Sequence, residues 1–447
     1  MSKLKAGFAR VNINPMMGIY VPGYYIQRFA DGILDDLEVN VLAIEFNDTK
    51  VLLINVDNIG MGQGLLADYR KMVSENVGIP MEHILISTTH THTGARAMKN
   101  SQDEFIKSYT EFLGTKIVQA AEASVSDLKE TKIGYGKGTA PNVAFIRRYV
   151  MRDGSIKTNP GVNNPDIVSP VGNVDESVNI IRFDREGADT IVFVNFANHP
   201  DTVGGTKISA DWPGLLRKKV EKILDGTKCI FFNGAQGDVN HVNVHPKGGD
   251  LNGMFIDFDD VARGYAHAEH IAHVVTGGVL QAFSKVNYIE IDRIDVKLQK
   301  IDVPSNKAPL EELPEAHRIN DLHLAGRDNE LPYEGMMLTT VVAEAARKVR
   351  MENAPDSFDM LLSAVKIGPI AILGVPGEPF SEIGRQIKET DGYELIIPCC
   401  LTNGCEGYFP MQDSYDEGGY EAKCSRFKAG VGEYIIKEAK ELLESLA

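Results

Sequence analysis

Short apolar runs of strand length recur along the chain and alternate with amphipathic stretches of helix length. NVLAIEF (40–46), VLLINVD (51–57), HILIST (83–88), TIVFVNFA (190–197), CIFFNG (229–234), FDMLLSAVKI (358–367), IAILGVP (370–376) and ELIIPCC (394–400) are rich in Val, Ile and Leu, as strands buried on both faces are. Helical periodicity appears over 105–125, 213–224, 261–283, 339–351, 381–390 and 431–446. The alternation predicts an α/β fold, with a mixed, largely buried β-sheet and flanking helices. NYIEIDRIDVKLQKIDV (287–303) alternates apolar and polar positions more cleanly, which adds an antiparallel, half-exposed part to the sheet. No linker or solenoid-period repeat interrupts the pattern, so residues 1–447 are expected to form a single catalytic-type domain. Two irregular zones, 138–175 and 241–260, are rich in Pro, Asn and Gly, the composition of long loops that carry function.

Composition narrows the function classes. The chain of 447 residues is 43% hydrophobic and 24% charged, close to average globular usage. Its formal net charge of -16 disfavours phosphate backbones and anionic lipid surfaces, leaving a small-molecule substrate, no nucleic acid and no membrane insertion. A homo-oligomer is left open. No signal-like or membrane-length apolar segment is evident, and the five cysteines lack CxxC spacing, so a reducing, cytoplasmic location is expected.

Ligands in open α/β sheets bind beyond the carboxyl ends of strands, so the polar residues that follow the apolar runs are the candidates for chemistry. HILIST runs into Thr89, His90, Thr91 and His92; TIVFVNFA into Asn198 and His199; CIFFNG into Gln236, Gly237 and Asp238. IAILGVP leads to Glu378, and ELIIPCC through Asn403 to Tyr408. Residues i and i+2 of an extended chain share a face, which would let His90 and His92 grip one ion. His199 and Glu378 supply the further imidazole and carboxylate that a catalytic Zn²⁺ accepts. An HxH pair by itself is as well explained by hydrogen bonding at a strand end. His267, His270 and His273 at helical spacing are read as a helix stripe, and His241 and His245 as pocket-lining residues.

Taken in order, GFARVNINP, STTHTHTG, NHPDTVGG with ISADWPG, NGAQGDVN, PGEPF and GYFPMQDSYDEGGYE resemble motifs of the neutral/alkaline non-lysosomal ceramidase family, in its N-terminal catalytic domain. The resemblance implies a neutral-ceramidase-like catalytic domain whose Zn²⁺ ligands fall on His90, His92, His199, Glu378 and Tyr408. It implies that Gly23, Arg147 and Tyr420 contact substrate, with Arg148 as the alternative register for Arg147, and that His92, Arg147 and Tyr420 take part in the chemistry. Asp211 and Asp238 are expected to orient the ligands or their loop. The implied reaction is hydrolysis of a non-peptide amide by a metal-bound water. Asn240 and His241 replace the Ser and Pro of the family's GDVSPN loop and are expected at the substrate, and Cys405 stands where a further Tyr is usual. With no immunoglobulin-like C-terminal domain and no secretion signal, a small polar N-acyl substrate is expected in place of ceramide. The alternatives are a zinc-dependent carbohydrate-active enzyme, opening a lactone or eliminating across a sugar, and a non-catalytic zinc-containing binding protein.

Overall fold

The computed structural model describes residues 3–447. Its larger sheet contains β1 (Lys5–Asn12), β2 (Glu38–Phe46), β3 (Thr49–Val56), β4 (Ile84–Thr88), β5 (Lys129–Thr139), β6 (Ser177–Arg185), β7 (Thr190–Phe196), β8 (Thr227–Asn233) and β9 (Asn287–Ile289). The order is β8-β7-β6-β5-β1-β2-β3-β4, with β9 also paired to β5. Only β3 with β4 and β7 with β8 are parallel within it. A second sheet, β10 (Ile294–Pro304), β11 (Ser357–Ile367), β12 (Ile370–Gly374) and β14 (Leu395–Cys399), is antiparallel except for its last pair. Between β12 and β14 lies the two-residue β13 (Glu378–Pro379), which pairs with β15 (Tyr408–Phe409).

The sheets face one another across a dry layer in which Leu42, Leu53, Leu85, Phe193 and Phe232 meet Val365, Ile370, Ile372 and Ile397. Each sheet therefore needs a helical cover on its other side. For the larger sheet, α1 (Gln63–Val77) and α2 (Glu104–Ser126) cover one half, while α3 (Asp211–Ile223) and α4 (Tyr265–Phe283) cover the other. The outer face of the second sheet packs on α7 (Ser381–Lys388) and the C-terminal helix Val431–Glu444. Burial on both faces explains the uninterrupted apolar runs. Two further helices, α5 (Leu313–Leu324) and α6 (Gly335–Met351), pair beside this stack. No helix among the described residues is long and apolar enough to cross a membrane.

The α/β layering agrees with the periodicity, but one expected sheet is two. The alternating segment 287–303 is where they part: Asn287–Ile289 closes onto β5, and Ile294 begins β10 of the second sheet. Three strands of the larger sheet and two helices, β1, β5, β6, α1 and α5, have no counterpart among the runs picked out by pattern. The reason is clear for β5, KETKIGYGKGT. Its alternate positions Gly134, Gly136 and Gly138 face α4 and the segment after it. A Cβ on Gly138 would lie 2.0 Å from the Gly278 carbonyl oxygen of α4, so the helix backbone rests directly on the strand. Close approach replaces apolar side chains there, and the strand loses its hydrophobic signature.

Gly138→Ala is therefore expected to lower the urea unfolding midpoint, at a cost of about 1–3 kcal/mol typical of overpacking. An unchanged midpoint would contradict this account of the contact.

Candidate metal centre

His90 and His92 leave β4 on the loop Thr89–Thr93, but not in the way their spacing suggested. The strand ends at Thr88, and His90 takes a left-handed conformation with φ of 73°. That conformation is unfavourable for a residue with a Cβ and persists only where neighbours fix it. Here the His90 N–H donates to the Asn58 carbonyl (2.9 Å) and its ring Nδ1 donates to the Ile59 carbonyl. A turn, and not an extended face, brings the two imidazoles together.

His199 follows β7 and is fully buried. Its Nδ1 donates to the carbonyls of Gln236 and Val239, each at 2.9 Å, on the turn that follows β8. A carbonyl has no proton to give, so these bonds place the hydrogen of both His90 and His199 on Nδ1 and leave Nε2 as a bare lone pair. His92 turns its Nδ1 toward Asp201 Oδ1, 3.6 Å away, and its Nε2 lies 3.3 Å from that of His90. Glu378, at the start of β13, brings Oε2 to 3.3 Å from His90 Nε2 and 3.1 Å from His199 Nε2.

Four electron-rich atoms thus meet in a buried space, and His199 Nε2 and Glu378 Oε2 have no hydrogen-bond partner. Buried polar atoms rarely stay unpaired, and lone pairs facing one another repel. A proton relieves one such contact; a divalent cation satisfies all four. Potential ligand atoms of His90, His92 and His199 lie within 4.8 Å of one another, as one ion requires. Each ring has a backbone carbonyl or a carboxylate behind its second nitrogen, the support that metal-binding histidines usually have.

The electrostatics agree. Burial alone would raise the Glu378 carboxyl, but the His90 and His199 imidazoles hold it well below the usual carboxylate range. Burial drives His92 well below its ordinary pKa and also lowers His199, with Arg147 adding to the second shift. In His90 burial opposes protonation and the Glu378 carboxylate overcomes it, raising the imidazole.

Tyr408 joins this group through the short parallel pair of β13 and β15, where it is in register with Glu378. Its ring centroid lies 6.4 Å from that of His199 and 5.7 Å from that of Tyr420. Burial and the Glu378 carboxylate push the Tyr408 phenol well above its usual range, with Arg147 opposing them. Arg147 sits behind this ring, 5.4 Å from guanidinium carbon to centroid. Its Nε donates to Glu421 (2.6 Å) and one terminal nitrogen to the Gly237 carbonyl (2.7 Å). Arg148 points elsewhere, to Ser414 and Glu417.

A cavity of about 610 Å³ opens over His90, His92, Glu378 and Tyr408, and its wall includes Gly23, Tyr24, Tyr25, Cys405 and Tyr420. Gly23 has φ of 117°, and a Cβ there would come within 2.8 Å of His92 Nδ1, so glycine is required for the loop to lie against that ring. Asp238 accepts from the Ser381 N–H (2.7 Å) at the start of α7, bracing the segment after Glu378. Asp211 accepts from the N–H groups of Thr202, Val203 and Trp212, bracing the segment after His199. Burial pushes their carboxyls up to about 6 and about 7.

Three expected substrate contacts lie off this cavity. Arg147 does not line it and is committed to Glu421 and the Gly237 carbonyl. The Asn240 amide donates to Asn159 (3.0 Å), and its oxygen accepts from the Val242 N–H. His241 donates from Nε2 to the Ala262 carbonyl (2.7 Å) and faces a separate cavity of about 470 Å³ that His267 and His270 also line. The residue after Val239 turns away because Val239 and Asn240 pair with Phe145 and Ile146. Sequence reasoning passed over Asp201, Tyr24, Arg263 and Glu421. Asp201 stands against His92 and is held by Tyr24 and by a two-nitrogen contact from Arg263 (3.0 and 3.1 Å). Its place in NHPD, two residues beyond His199, was the available signal.

No protein-family profile matches the chain, and no curated protein matches it by sequence. Solved structures do match. The chain superposes along 100% of its length on 75% of the chain in the crystal structure of neutral ceramidase from Pseudomonas aeruginosa, with a TM-score of 0.76 and 14% identity. A ceramidase complexed with C2 gives a TM-score of 0.74, with the same coverage and identity. The protein is a mixed α/β sandwich with a buried histidine cluster at the strand ends. Within that class its fold is that of neutral ceramidase.

Metal-depleted protein is expected to take up one equivalent of Zn²⁺ or Co²⁺, and Gly23→Ala to weaken that uptake by about 10–100-fold through the displaced His92 ring. Competition against a chromogenic chelator measures both; wild-type affinity in the Gly23→Ala protein would refute the coupling.

Proposed function

We propose that this chain is a zinc-dependent hydrolase that cleaves the amide bond of a small polar N-acyl substrate. The observation that carries the reading is the convergence of three Nε2 atoms and the Glu378 carboxylate at the bottom of an open cavity, with the imidazole protons of His90 and His199 held on the outer nitrogens. His90, His92, His199 and Glu378 would hold the ion, and Tyr408, in register with Glu378, is the fifth member of the set. When bound, Zn²⁺ supplies a Lewis acid for the amide carbonyl and lowers the pKa of water toward 7.

The chain's own residues do the rest. The Ile59, Gln236 and Val239 carbonyls keep the His90 and His199 imidazoles aimed inward, so no proton on their Nε2 atoms competes for the ion, and Asp201 stands behind His92. Arg147, neutralised by Glu421, fixes the Tyr408 ring and opposes the burial that keeps its proton on; it acts as a positioning residue. Tyr420 stands on the cavity wall 5.7 Å from Tyr408, where its hydroxyl can donate to charge developing on the carbonyl oxygen. Asp211 and Asp238 hold the loops that carry His199 and Glu378. The likeness to ceramidases supports amide chemistry, while the basic side chains of Arg96, Lys99 and Arg350 on the cavity wall favour a substrate with a polar or charged end over a wholly apolar lipid.

Zinc-loaded protein is expected to release free amine from N-acyl amino acids or N-acyl amino sugars. His199→Ala should abolish both metal and turnover; Tyr420→Phe should keep the metal and lose about a hundredfold in kcat. Acid released from esters or lactones by a protein that leaves every amide intact would overturn the amide assignment.

A further inference from the structure

Two arginines stand apart from all the others. Every other arginine among the described residues has an oxygen partner in a carboxylate, hydroxyl or backbone carbonyl. Arg96 and Arg350 have none. The Arg96 guanidinium lies 5.9 Å from the Tyr20 ring centroid and donates only to the Met98 sulfur, at 3.5 Å. Arg350 lies in the last turn of α6 and is exposed. These two residues come from opposite halves of the chain, yet both line the cavity above the histidine cluster.

The charge around that cavity is the reverse of the protein's. The chain carries -16 overall, but this wall presents Arg96, Lys99 and Arg350 against a single carboxylate, Glu378, which belongs to the metal centre. Lys99 is already paired with Asp68 at 2.5 Å. The two free guanidiniums are therefore the unneutralised positive charge on this wall. A helix C-terminus attracts a cation in general, which would account for a basic residue at 350 but not for Arg96. In an acidic chain, leaving both without a carboxylate is what a site for an incoming anion requires.

We infer that the substrate is an N-acylated anion whose carboxylate or phosphate is received by Arg96 and Arg350 while its amide reaches the histidine cluster. A guanidinium presents paired N–H donors that match a carboxylate or phosphate edge, so the pair selects charge and orients the substrate in one step. The inference rests on the hydrolase reading only in taking this cavity as the substrate's path. The local field offsets the repulsion that the acidic surface imposes on an anion at a distance.

The test is calorimetric binding to zinc-loaded protein of N-acetylglycine, N-acetylglycinamide and N-acetyl-O-phosphoethanolamine, up to their solubility limits. At least one anionic probe is expected to bind about tenfold or more tightly than the neutral amide, the order of one charge-assisted hydrogen bond, and which one identifies the anion. In Arg96→Gln/Arg350→Gln that preference should vanish while the amide binds as before. Equal binding of the neutral probe, no binding by either anion, or a preference that survives in the double variant, where the metal alone would be reading the charge, each overturns the inference. Amine release from the same probes is assayed separately, with KM compared in place of the binding constant for any probe that is cleaved; charge selection without amide cleavage would sink the hydrolase reading alone, and amide cleavage without charge selection would sink this one alone.

Discussion

The position of two protons governs the centre. Backbone carbonyls behind His90 and His199 force their hydrogens outward, and a buried carboxylate then faces bare nitrogens at 3.1 and 3.3 Å. An arrangement of that kind is unfavourable by itself and stable around a cation. Much of the surrounding architecture serves it: the loop at Ile59, the turn from Gln236 to Val239, the Asp201–Arg263 pair and the braces from Asp211 and Asp238 all fix which atoms point inward.

Layering puts these parts in reach of one another. The two sheets bury a shared apolar face, and the strand ends that emerge at one edge carry the polar residues. Glycine allows the last few ångströms. At Gly237 an added Cβ would sit 2.4 Å from the Glu378 carbonyl oxygen, so the turn beyond β8 can abut the segment beyond β12. Gly23 does the same against His92. The site is thus a product of close backbone contact as much as of its side chains.

What could be read from sequence follows the same physics. The clustering of His90, His92 and His199 was legible because each follows an apolar run that reads as a buried strand, and Glu378 and Tyr408 follow such runs as well. The left-handed turn at His90 was not, since nothing in THTH marks it, and the correct pairing was expected for an incorrect geometric reason. Strand β5 was hidden because glycines, not apolar residues, occupy its packed face. The split into two sheets was hidden because alternation shows that a strand is half-exposed and not which partner it joins. Arg147, Asn240 and His241 lie in the right neighbourhood, but direction depends on tertiary partners: Glu421 draws the arginine behind Tyr408, and the pairing of Val239 and Asn240 with Phe145 and Ile146 carries the other two away.

The candidate donors are divided along the chain. His90, His92 and His199 follow strands of the larger sheet, all before residue 200, whereas Glu378 and Tyr408 pair in the short strands β13 and β15, after residue 370. A cut in the chain after α4 would leave three imidazoles on one fragment and the carboxylate and phenol on the other. Neither fragment alone encodes a complete centre, so an ion held there would act as a clasp between two halves of the polypeptide, and recovery of metal affinity on mixing would report that the halves had docked in their native register.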